Sequence, residues 1–292
     1  MTHKSRMQQI RSGEPVGNLT PIGNGHAKDE LGRIFKLQSF EAQEEKRRRG
    51  YMKRDKRIFS FSRMQEMVDT ASKLSNKHAG YMLMLFPYIQ YRTNILVSPG
   101  RKENQIPLTD KDLAEVFGIN KRYVSGIITE LKEIGVITET REGYYKVNER
   151  YHFRGRSRED TYMLVKTFHT TLKKIKVNPA ELGVLYKLLP YIHYESNLVC
   201  ENPFEDDPKK VRFLNTSEIA EKVGLSRQKL NDTLRKLVSS GAIATIQRKS
   251  GIVPQASDGD GRETVVLINP YVITRKREDH SVITLQLFSD SF

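Results

Sequence analysis

Residues 108–137 read LTDKDLAEVFGINKRYVSGIITELKEIGVI. Thr109 has the side-chain oxygen that caps a helix, and Leu113, Ala114 and Phe117 fall on one face of the turns that follow. Gly118 supplies the left-handed residue that ends a helix, and Ile119 tucks in at the turn. Asn120 then caps a second helix with Val124, Ile127, Ile128 and Leu131 on its apolar face, and Gly135 ends it. VITETREGYYKV, starting at Val136, reads as two short strands around a turn at Glu142-Gly143. Two helices joined by a tight glycine turn are a helix-turn-helix, and a hairpin directly after the second helix makes it a winged one.

The pattern recurs at residues 214–243, LNTSEIAEKVGLSRQKLNDTLRKLVSSGAI. Gly224 and Gly241 fall on Gly118 and Gly135, and Ala220 falls on Ala114. Ser226 replaces Asn120, which keeps the capping chemistry. Leu230, Leu234 and Leu237 take the core face. A second hairpin follows, with a longer tip rich in Gly and Ser.

Duplication reaches beyond these stretches. LFPYIQYRTNILV (85–97) and LLPYIHYESNLVC (188–200) agree at Leu, Pro, Tyr, Ile, Tyr and Asn. Each sits on an apolar helix that its proline, Pro87 or Pro190, bends or ends. Before the first lies SRMQEMVDTASKL, with Met64, Met67, Val68 and Leu74 at helical spacing. After each hairpin come an Asn (Asn148, Asn269), an apolar stretch, a basic cluster and a strand-like run ending at Phe168 or Phe288. The expected fold is mainly α with small β wings (α+β). It comprises two tandem winged helix-turn-helix domains, 58–168 and 169–292, after a basic N-terminal arm, 1–57.

With these residues in view, each unit resembles the RepL family of replication proteins from plasmids of Gram-positive bacteria. The similarity lies in the apolar helix before RTN or ESN, in TSEIAEKVGLS, in the Gly before each wing, and in INP followed by a basic cluster. It covers most of residues 60–292. The resemblance implies DNA binding by a winged helix and a role in replication. This chain carries two units where that family is expected to carry one.

Bulk composition agrees. The 292 residues are 37% hydrophobic and 29% charged, and 49 Lys and Arg against 35 Asp and Glu leave a net charge of +14. That surplus points to a polyanionic partner. The one cysteine, Cys200, excludes an intrachain disulfide and a cysteine-built zinc site, and the seven histidines show no ligand spacing. No apolar run has membrane-spanning length, and the N-terminal stretch lacks a secretory apolar region. A cytoplasmic protein without metal, cofactor or membrane partner is expected. The first 27 residues read as disordered, and LGRIFKLQSF as a short strand. The basic run carries Arg47, Arg48, Arg49, Lys53, Arg54, Lys56 and Arg57, which suits an arm laid on phosphates as well as a solvated helix.

A second helix in the major groove reads bases with its N-terminal residues. In the first unit the candidates are Asn120, Lys121, Arg122, Tyr123, Ser125 and Thr129, with Gly126 allowing close backbone approach. In the second they are Ser226, Arg227, Gln228, Lys229, Asn231 and Arg235. Arg suits guanine, while Gln and Asn suit adenine. Asp232 is expected to pair with a nearby Arg. Arg141 and Lys146 on the first wing, and Arg248, Lys249 and Arg262 on the second, suit phosphate contact. Tyr88, Tyr91, Tyr191 and Tyr194 read as core residues with the phenol at the edge. No Gly-rich phosphate loop, carboxylate pair or His-hydrophobic-His triplet marks an enzyme. The expected function is sequence-specific binding of double-stranded DNA, at repeats or an imperfect palindrome, by a plasmid or phage replication initiator. A transcription regulator or a nucleoid or partition adaptor is the alternative. The chain would act as monomer or homodimer, with host replication or transcription machinery as further partners.

Overall fold

The computed structural model describes residues 16–18, 20–23, 26–32, 34–36, 57–157, 161–249, 262–276 and 280–289. The chain divides into one unit ending at Lys56 and another from Arg57 to Phe292. In the first, β1 (Thr20–Gly23), β2 (His26–Lys28) and β3 (Ile34–Lys36) form an antiparallel sheet in sequence order. Strand β3 lies within the predicted strand. Strands β1 and β2 correct the expectation of disorder at residues 20–23 and 26–27, while residues 1–15 lie outside the described residues. Their pairing is bent by an irregularity between Pro21 and Gly23. Asp29 fastens the following turn, its carboxylate accepting from Val16 N at 3.2 Å and from Leu31 N at 3.0 Å.

The second unit is a mixed α+β structure of helices around small antiparallel sheets. Strand β4 (Phe59–Arg63) runs into α1 (Met64–Lys73). Ser75 then caps α2 (Asn76–Leu85), its hydroxyl accepting from His78 N at 3.1 Å. Pro87 sits in a 3-10 turn, Phe86–Tyr88, that ends this helix as the missing N–H requires. Next come α3 (Asp110–Phe117), α4 (Val124–Glu133), the hairpin β5 (Ile137–Glu139) and β6 (Tyr145–Val147), and β7 (His152–Phe153). The order then repeats: β8 (Leu164–Phe168), α5 (His169–Leu172), α6 (Pro179–Leu188), a 3-10 turn holding Pro190, α7 (Thr216–Val223) and α8 (Arg227–Ser239). The hairpin β9 (Ile243–Lys249) and β10 (Arg262–Ile268), strand β11 (Ile273–Thr274) and helix α9 (Val282–Gln286) complete it.

Sheet register shows how the repeats are joined. Strands run in the order β11-β8-β4-β7, with Phe61 opposite Lys166 at the centre of the β4–β8 pair. Phe61 and Ser62 pair with Phe153 and His152, while Lys166 and Thr167 pair with Thr274 and Ile273. The register is thus the same read from either side, as an approximate two-fold axis demands. It makes β8 the counterpart of β4, which revises the reading of Leu164–Phe168 as a closing strand. The run ending at Phe288 is not a strand but contains helix α9. Ser281 caps α9 by accepting from Thr284 N at 3.2 Å, and β11 already occupies the sheet position beside β8. The cap outweighs the β-propensity of the Val-Ile-Thr sequence.

The apolar helices α2 and α6 cross at paired glycines. A Cβ on Gly80 would stand 1.7 Å from the Pro179 carbonyl oxygen, and one on Gly183 would stand 1.7 Å from that of Asn76. Only hydrogen at both positions lets the backbones meet. Around this crossing one hydrophobic cluster runs through both repeats, from Met64 and Met67 to Leu237 and Ile273. Val68, expected on the buried face of α1, is instead 44% exposed.

Paired asparagines of the two repeats have matched duties. Asn94 and Asn197 both adopt φ 59°, in the left-handed region. Asn94 Nδ2 donates to His152 O at 2.9 Å, and Asn197 Nδ2 donates to Ile268 O at 2.9 Å and Ile273 O at 2.8 Å. Asn148 and Asn269 donate to the carbonyls of Gly135 and Gly241. Symmetry breaks in the buried polar groups. His152 bridges Ser62 Oγ at 2.9 Å and Tyr186 Oη at 2.8 Å. At the corresponding place Thr167 faces Ile273, and its hydroxyl is buried without a hydrogen-bond partner.

Candidate nucleic-acid interface

The first helix-turn-helix is set by local chemistry. Thr109 and Asp112 form a reciprocal capping box on α3. Gly118, at φ 65°, closes the helix, and Ile119 N reaches back to Ala114 O at 3.0 Å. Asn120 Oδ1 accepts from Arg122 N at 3.1 Å, but the turn it starts, Lys121–Tyr123, is 3-10 before α4 begins at Val124. Predicted reading residues Asn120, Lys121, Arg122, Tyr123, Ser125 and Thr129 are all exposed, as is Gly126. Val124, Ile127, Ile128 and Leu131 are buried against the core. Arg122 is held near Tyr123, donating to its phenol oxygen at 2.7 Å.

The second copy is more regular. Asn215 and Glu218 form the capping box on α7, and Gly224 at φ 68° ends it. Ser226 Oγ accepts from Lys229 N at 3.2 Å, so α8 is helical from Arg227 onward. Exposed residues include Ser226, Arg227, Gln228, Lys229, Asn231 and Arg235. Asp232 pairs with Arg235, as the sequence suggested. Helix α8 carries four cations and one acid, whereas Lys121–Glu133 carries three cations and two acids. The second face is therefore the more attractive to a polyanion.

Each of these second helices is braced from the same place. His78 on α2 lies 3.0 Å from Glu130 on α4, and Glu181 on α6 lies 2.5 Å from Lys236 on α8. These are matched positions with the acidic and basic residue types exchanged. The sequence reading missed the braces; an acid-for-base swap at aligned sites was the available signal. Beside the 3-10 turn of the first copy, Asn120, Tyr123, Gly126 and Lys77 border a groove of about 450 Å³.

The first hairpin pairs Ile137 with Val147, Thr138 with Lys146 and Glu139 with Tyr145, with Gly143 at φ 81° in its turn. Tyr145 Oη donates to Asp110 Oδ1 at 2.6 Å, tying the hairpin to the start of α3, and Lys132 pairs with Glu139 at 2.9 Å. Arg141 is exposed at the tip, whereas Lys146 is half-buried and pairs with Glu149 at 2.9 Å. In the second hairpin Arg262 pairs with Lys249 and Glu263 with Arg248 along the backbone, so the three predicted positions fall at neighbouring strand ends. The tip beyond them lies outside the described residues.

Arg47, Arg48, Arg49, Lys53, Arg54 and Lys56 also lie outside the described residues. Arg57 is described, with its guanidinium 3.7 Å from the centroid of the Phe168 ring. Tyr88 and Tyr191 are half-buried against the core as expected, and Tyr194 packs on Tyr162 with ring centroids 4.9 Å apart. Tyr91 departs from that expectation at 41% exposed, next to Arg92, whose φ of 72° lies in the left-handed region. Among the described residues no group of three or more His, Cys, Asp or Glu could hold a metal ion, and no helix is long and apolar enough to cross a membrane.

Compared with family models, curated proteins and solved structures, the chain matches none.

Proposed function

We propose that this chain binds duplex DNA in a sequence-specific way through two winged helices, as a plasmid or phage replication initiator. One observation carries the reading. The succession of capped helix, left-handed glycine, second helix and hairpin occurs twice on one core, each time with exposed polar and cationic residues where the second helix starts: on the 3-10 turn leading into it in the first copy, and on its first turn in the second. Such a turn is the part of a helix-turn-helix that meets base edges. The approximate two-fold register of the central sheet supports an inverted pair of half-sites. Because Asn120, Lys121 and Arg122 face one half-site and Arg227, Gln228 and Asn231 the other, the halves differ in sequence. The replication role rests on the resemblance to RepL proteins.

Genome-wide footprinting with the full chain in its host tests both levels. Enrichment at a replication origin supports initiation. Enrichment over promoters replaces it with transcription regulation, and even coverage without sites points to a nucleoid or partition adaptor. Absence of any DNA enrichment overturns the reading.

A further inference from the structure

The duplication supplies its own control for a groove that neither helix-turn-helix uses. A cavity of about 400 Å³ opens between Tyr88, Ser98 and Gln105 on one side and Arg154, His169 and Lys173 on the other. That volume falls in the roughly 300–1,000 Å³ span of small-ligand pockets. No carboxylate lines it. Arg154 Nη1 donates to Ile89 O at 2.9 Å, and Lys173 Nζ stands 4.9 Å from the centroid of the Tyr88 ring. Neither cation has an ion-pair partner among the described residues. Arg154 is half-buried and Lys173 is exposed at the rim; two cations sharing a groove without an anion repel each other.

The counterpart groove in the second repeat has the opposite character. Met64, Gln65 and Val68 stand where the first groove has His169, Thr170 and Lys173, and Glu201 stands where it has Ser98. Arg275, the counterpart of Arg154, is fully buried. It donates to Ile192 O at 2.8 Å, to the carbonyls of Pro203 and Tyr162, and lies among the rings of Tyr162, Tyr194 and Phe204. Pro203 covers Arg275, whereas Gly100, at the matching place, leaves Arg154 open to its groove. One fold position thus holds a sealed arginine in one repeat and an uncovered one, joined by a lysine, in the other. Burial, together with Arg154 and Lys173, holds the neighbouring His169 down to about 3, so the imidazole adds no third charge.

We propose that the groove between Tyr88 and Lys173 binds a phosphate group, with Arg154 and Lys173 as its charge partners and the Gln105 amide as a neutral donor. The phosphate belongs either to a free phosphorylated compound or to the backbone of a duplex, and the experiment separates these. The full chain is titrated calorimetrically with inorganic phosphate and with adenosine monophosphate at low salt, beside Lys173→Val and Ser98→Glu, which import the residues of the counterpart groove. Saturable binding by the wild-type chain, weakened at least tenfold in both variants at an unchanged unfolding midpoint, identifies a free ligand. If neither compound binds, Lys173→Val is expected to weaken duplex affinity equally on all sequences and to lower the log–log salt slope by about 0.9, the share of one phosphate. Unchanged behaviour of both variants in both assays overturns the proposal. Free-phosphate binding by a chain that ignores DNA would leave the groove standing while removing the duplex-binding reading.

Discussion

Asn94 and Asn197 show how one side chain can fix a fold twice. Asparagine tolerates the left-handed backbone at φ 59° while its amide satisfies buried carbonyls. Replacing Asn197 by Ala leaves the Ile268 and Ile273 carbonyls without that donor and puts a Cβ-bearing residue in the left-handed region. The expected loss is about 2–4 kcal/mol by chemical denaturation. Asn197→Gly removes the same donor without the backbone penalty, so it should cost less, and equal losses would place the whole effect in the hydrogen bonds. His152 and His169 make a second prediction. Burial depresses both to about 3, against about 6.5 for an unfolded histidine. The unfolded chain therefore binds more protons below pH 6.5, and stability present above that value is lost as pH falls toward 3. Each histidine should cost about 2 kcal/mol between pH 7.5 and pH 5, and His152→Gln should flatten its part of the slope. Urea unfolding at the two pH values checks this. The asparagine identities were visible in the sequence, but not their purpose, which depends on carbonyls distant in the chain.

At the scale of elements, the helices were legible wherever chemistry is local. Thr109, Gly118, Ser226 and Gly224 sit at the ends the sequence assigned them because caps act within a few residues. Elements decided by partners were not. Leu164–Phe168 was a strand as read, yet its place beside β4 could not be inferred, and Val282–Gln286 took helix over strand. The glycine crossing of α2 and α6 was hidden because a lone glycine in an apolar helix has no sequence-local meaning. Gly80→Ala or Gly183→Ala should push the helices apart and destabilise the unit by about 1–3 kcal/mol or more. The same exchange at Gly126, where an added Cβ meets nothing within 4 Å, should leave stability almost unchanged or slightly raised. Denaturant midpoints of the three variants give the comparison.

For the whole molecule, the net charge of +14 gives the proposed function a testable signature. Affinity for duplex DNA should fall steeply with salt as displaced counterions lose their advantage. A flat response in a binding titration would remove the DNA reading. Arg227→Ala with Gln228→Ala should abolish preference for a specific site and spare weak general binding; equal loss on every sequence would restrict both residues to phosphate contact. Deleting residues 1–57 should lower affinity for all duplexes, as measured at several salt concentrations. The candidate reading residues were legible because exposure on a capped amphipathic helix follows from its period. The groove holding Arg154 and Lys173 was not, since it joins segments from the end of one repeat and the start of the next.

The crossing of α2 and α6 has a consequence for dosage. Readers assembled from two separate subunits are diluted as the square of their concentration. Two proposed readers on one core, acting as a monomer, would be diluted only as the first power, and the second would meet its half-site without a further encounter. Occupancy of the proposed site should then follow a simple hyperbola in protein concentration. A cell halving its supply of this chain would see a proportionate response instead of a switch.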